Sequence, residues 1–71
     1  MPQTIQIETE YITLGQALKI ESIIHSGGIA KMFLEDVEVL VNGERETRRG
    51  RKLYDGDTIE IDEIGSFIVR R

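Results

Sequence analysis

The chain has 71 residues, with thirteen acidic and nine basic side chains, one histidine and no cysteine, for a formal charge of −4. That length fits one domain with one small core, and the composition excludes a disulfide framework, a thiolate zinc site and a histidine-rich metal centre. Apolar runs extend only a few residues, and Met1-Pro2-Gln3-Thr4 lacks the basic and apolar regions of a secretion signal, so a soluble cytoplasmic protein is expected.

Gln3 to Ile7 alternates polar and apolar residues, which predicts a short edge strand with Ile5 and Ile7 on one face. Thr13-Leu14-Gly15-Gln16 fits a capping box, in which a threonine hydroxyl takes the third amide and Gln16 reaches back, so a helix is expected from Thr13 to near Ser22. Leu14, Ala17 and Leu18 share its buried face. Gly15 weakens its first turn by up to about 1 kcal/mol relative to alanine, so packing must hold it. A second helix is predicted over residues 27 to 37 with Ser26 as N-cap, because Ile29, Ala30, Phe33, Leu34 and Val37 recur at helical spacing and Lys31, Glu35 and Asp36 lie off that face. Gly27 and Gly28 either loosen the connection or let a backbone or phosphate approach the exposed N–H groups at the helix's positive end.

Val39-Leu40-Val41 followed by Asn42-Gly43 is a strong hairpin signal, with a return strand expected over Glu44 to Thr47. Leu53-Tyr54, the turn Asp55-Gly56-Asp57, the alternating strand Thr58 to Ile61 and a last strand from Ser66 to Val69, able to pair with the first, complete the chain. The expected fold is a single α+β domain over residues 1–71, with two short helices packed on a small, mostly antiparallel sheet.

Charge is not spread evenly. Five of the nine basic residues fall between Arg45 and Lys52 with one acid, so that window carries 5 − 1 = +4 and the other 63 residues carry −4 − 4 = −8. Such focusing builds a local anion site, although a solvated loop balancing the acids gives the same count. Arginine's planar fork suits phosphate oxygens. None of the four aromatics is interleaved with the basic loop, so a stacking platform for single strands is not expected. His25-Ser26 reads as a surface histidine beside a cap, and Asp55 and Asp57 read as turn chemistry, so no catalytic, metal or cofactor site is expected.

In order and spacing, Thr13-Leu14-Gly15-Gln16-Ala17-Leu18, Ser26-Gly27-Gly28-Ile29-Ala30-Lys31, Val39-Leu40-Val41-Asn42-Gly43-Glu44 and Asp55-Gly56-Asp57-Thr58-Ile59-Glu60-Ile61 resemble the S4-type RNA-binding domain, or alpha-L motif, over a core of residues 12–61. With Glu46-Thr47-Arg48-Arg49-Gly50-Arg51-Lys52, they are similar to its short stand-alone bacterial members, the YaaA-like group. The resemblance implies a non-catalytic protein that binds structured RNA, ribosomal RNA or the ribosome among the candidates; separately, the outer strands could pair between copies, but their charged, short edges argue for a monomer. It implies RNA contacts from Lys19, Ser26, Gly27, Lys31, Asn42, Arg45, Arg48, Arg49, Arg51 and Lys52. Many members carry a basic residue where this chain has Gly27, and their first helix is usually more basic, which shifts the expected contacts here toward the 45 to 52 loop. Two alternatives stand beside it. One is a protein-interaction module gripping an acidic partner. The other is a ubiquitin-like sulfur carrier, although the sequence ends in Val69-Arg70-Arg71 instead of Gly-Gly.

Overall fold

The computed structural model describes residues 2–71. Among these, the elements run β1 (Gln3–Gln6), β2 (Tyr11–Thr13), α1 (Leu14–Ile20), α2 (Gly27–Asp36), β3 (Val39–Val41), β4 (Glu44–Arg45), β5 (Lys52–Tyr54), β6 (Thr58–Ile61) and β7 (Gly65–Arg70). Five strands form one sheet in the order β1-β7-β6-β3-β4, and β2 and β5 form a separate two-stranded ribbon. All pairings are antiparallel except β1 with β7, which run parallel with Gln3 opposite Phe67 and Gln6 opposite Arg70. The α+β class and the mostly antiparallel sheet agree with the sequence pattern. The pairing of first and last strands, with β1 at the edge, also follows it.

Strand alternation fixes which side faces the helices. Ile5, Val39, Val41, Ile59, Ile61, Phe67 and Val69 point inward and are buried with Leu14, Leu18, Ala30, Leu34 and Leu53. The other face carries Thr4, Leu40, Glu60 and Ile68 and stays open, as one side of an antiparallel sheet commonly does.

Several predicted edges move by a residue or more. Ile7 lies beyond β1 but still donates its N–H to the Arg70 carbonyl at 2.8 Å. Helix α1 ends at Ile20 and α2 at Asp36, with Ile29 exposed although it shares the apolar spacing. The return strand stops at Arg45, short of Thr47, because the Glu46 side chain turns inward and takes the next two amides itself. The ribbon of β2 and β5 is absent from the sequence reading: Tyr11-Ile12-Thr13 is too short to show a period, and its partner lies some forty residues on.

Candidate functional site

The loop from Glu46 to Arg51 leaves the hairpin, crosses the start of both helices and enters the ribbon. Its organiser is Glu46, the one buried charged residue among those described. One carboxylate oxygen accepts from the Thr47 and Arg48 amides (3.1 and 3.0 Å) and from Arg48 Nε (3.0 Å). The other accepts from Arg48 Nη2 (3.1 Å) and Arg51 Nη1 (3.0 Å). The Arg48 hydrogen bond is the main reason the Glu46 carboxyl is held at about 2 against an ordinary 4.5, with Arg51 adding to it and burial opposing it. The same contact raises the Arg48 guanidinium. Counted along the sequence, Glu46 merely subtracts from the loop's charge; folded, it fixes the direction of two arginines. Arg48 nonetheless leaves 74% of its side chain in solvent, so it keeps an outward face.

The loop backbone closes one helix and leaves the other open. At the start of α1, Leu14 N–H donates to the Arg51 carbonyl (2.8 Å) and Gly15 N–H to the Arg49 carbonyl (2.9 Å). Thr13 Oγ1 takes the Gln16 amide and Gln16 Oε1 takes the Thr13 amide, which completes the expected capping box. The first amides of α1 are thereby satisfied. The close crossing also accounts for Gly15: a Cβ there would sit 3.4 Å from the Arg49 carbonyl oxygen and 3.7 Å from the Ala30 methyl.

At α2 Ser26 holds the N-cap position, as expected, but its hydroxyl makes no capping bond. The Gly27 and Gly28 amides take no acceptor among the described residues, and a Cβ at Gly27 would meet nothing within 4 Å. Arg49 reaches this open end, donating from Nη1 to the Gly27 carbonyl at 3.0 Å.

Three shallow clefts surround the loop and share its residues. Lys19, Gly27 and Arg49 line one, Gly28, Lys31, Arg48 and Arg49 the next, and Arg48, Arg51, Lys52 and Tyr54 the third. The fold thus gathers seven of the ten expected contact residues, Lys19, Gly27, Lys31, Arg48, Arg49, Arg51 and Lys52, with Ser26 alongside Gly27. Two lie apart. Asn42, at φ 52°, is spent on structure: its Oδ1 accepts from Thr58 N–H and its Nδ2 donates to Asp57 Oδ1. Arg45 pairs across from Leu40 and therefore projects from the open face of the sheet. Asp57 also accepts the Tyr54 amide, so the two strand turns are tied together by Asn42 and Asp57, as turn chemistry predicts.

Sequence reasoning missed Glu46, whose only signal is an acid alone among cations, and it missed the aromatics. Tyr11 and Tyr54 face each other across the ribbon with ring centroids 5.6 Å apart, and Lys52 Nζ lies 4.9 Å over the Tyr11 ring. No group of three or more His, Cys, Asp or Glu side chains that could hold a metal occurs among the described residues. No helix among them is long and apolar enough to cross a membrane.

The S4 domain model matches residues 5–70. The chain is also 59% identical over 69 residues to a protein of Bacillus subtilis (strain 168) named "Probable ribosome maturation protein RlbA", with 97% of each chain covered.

Proposed function

The chain belongs to the S4 domain family, and from that premise we propose that it is a non-catalytic RNA-binding module, one domain over residues 1–71, acting on ribosomal or other structured RNA during ribosome maturation. The observation that carries this reading is the convergence of Lys19, Lys31 and Arg49 on the unfilled N-terminus of α2. Two free amides at the positive end of a helix, ringed by cations on three different elements, suit a phosphate whose oxygens need several donors at once. Arg48, Arg51 and Lys52 extend the cationic track along the loop for further phosphates. An A-form duplex presents phosphates and 2′-hydroxyls more readily than base edges, so recognition led by shape suits these contacts. The name of the B. subtilis relative supplies the ribosomal context.

The test is binding of purified ribosomal RNA by wild type and by a Lys19→Glu, Lys31→Glu, Arg49→Glu variant across a salt series. Arg48 and Arg51 are left intact because reversing them would set new carboxylates against Glu46 and disorder the loop. The wild-type log affinity should fall with log salt by about 0.7 to 0.9 per neutralised phosphate. The variant should keep its melting transition and lose at least a hundredfold in affinity. Equal affinity in a folded variant would sink the proposal. Capture of an acidic protein, insensitive to nuclease and lost in the variant, would move the function to protein interaction.

A further inference from the structure

We infer that the β2–β5 ribbon carries a stacking site for one unpaired base of the bound RNA, with Tyr54 as the stacking face. The inference rests on the RNA-binding reading above and deepens it. Ile12 and Leu53 fill the buried side of the ribbon, which leaves Tyr11, Lys52 and Tyr54 together on its outer side. Both rings stay exposed, Tyr11 at 38% and Tyr54 at 43%.

A cross-strand tyrosine pair stabilises a ribbon on its own. Three features go beyond that role. The Tyr11 ring is already engaged, with Lys52 above it and Tyr54 tilted 46° against it, so Tyr11 backs its neighbour. Tyr54 lines the same cleft as Arg48, Arg51 and Lys52, where the one acid, Asp57, is engaged by the Tyr54 amide, so a nucleotide whose phosphate meets those cations has its base near Tyr54. The Tyr54 amide is bound to Asp57 Oδ2 at 2.8 Å, so the strand carrying the ring is fixed before any ligand arrives. An aromatic face beside cations accepts any base, because every base offers a π-face. A fully paired stem offers none, so the structure selects RNA with a bulge or an unpaired loop position next to a stem.

The discriminating probes are two synthetic RNA stem-loops, identical except for a single bulged adenosine. Wild type should bind the bulged RNA about tenfold or more tightly than the paired one, since stacking contributes on the order of 1–3 kcal/mol per base. Tyr54→Leu, which keeps an apolar side chain on the strand, should abolish the preference so that both RNAs bind alike, while Tyr54→Phe should retain it. Tyr11 and Tyr54 are the only tyrosines, so their ring proton resonances report the site directly and should move upfield with the bulged RNA alone. A wild type without preference, or a Tyr54→Leu variant that keeps it, overturns the stacking site. If the Lys19, Lys31, Arg49 variant then still loses both RNAs, RNA binding stands without it. If wild type binds neither RNA, both readings fall together.

Discussion

The two helices begin in opposite conditions. The N-terminus of α1 is sealed: a threonine hydroxyl, a glutamine side chain and two carbonyls of the basic loop meet its first amides. The N-terminus of α2 is bare, with an uncapping serine and two glycines. Both ends carry the same partial positive charge from the helix dipole, so the difference lies in what has already been placed against it. The loop that seals α1 is the one that delivers Arg49 to α2. One segment therefore stabilises the fold at one helix and leaves the amides at the other open for the proposed phosphate.

Breaking the organiser of that loop should have the largest effect. Glu46→Gln removes the charge that holds Arg48 and Arg51, and with it the registration of the carbonyls over α1. It should cost about 1.5 kcal/mol at pH 7 by chemical denaturation, at the low end for charged hydrogen bonds because Arg48 is largely exposed. It should also weaken RNA binding. The folded value of the Glu46 carboxyl, about 2, lies below the ordinary 4.5. Its contribution is thus fully present above about pH 4.5 and is lost as the pH falls toward 2. The stability gap between wild type and Glu46→Gln should narrow over that window, and a gap that stayed constant would mean the charge is not what holds the loop.

Filling the open end comes next. Gly27→Asp introduces a side chain where there is space, at a helix start that favours an acid, so the fold should gain a few tenths of a kcal/mol. RNA affinity should drop roughly tenfold, because a carboxylate would occupy the place proposed for phosphate. Unchanged affinity would remove α2 from the interface and leave the loop alone.

The smallest effect belongs to the sealed end. Thr13→Ala loses one cap and should cost about 1 kcal/mol in a denaturant melt, with RNA affinity within twofold of wild type. A loss of affinity as large as that of Gly27→Asp would erase the distinction between the two helices.

How far the sequence foretold these arrangements depends on the range of the interactions. The capping box of Thr13 and Gln16, the Asn42-Gly43 turn and the inward faces of the strands are local, set by side chains within a few positions, and they fold as the pattern predicts. Ser26 looks like a cap by type, yet its hydroxyl is not used, because residue type does not fix a rotamer. The Glu46 contacts are local, to Thr47, Arg48 and Arg51, but an acid among cations does not announce that it turns inward, and the meeting of Tyr11 with Tyr54 joins segments distant in sequence, which composition and spacing do not bring together. Much of the candidate site was therefore visible as charge, while its ordering and the tyrosine pair beside it were not.

The parallel pairing of β1 with β7 also sets an order of events. Gln3 must wait for Phe67, 64 positions later, before its strand has a neighbour, and closing so long a loop is entropically slow. During synthesis the helices and the Asn42-Gly43 hairpin can form early, but the opening strand stays unpaired until β7 has been made. Assembly of the sheet's outer edge is thus tied to the emergence of β7.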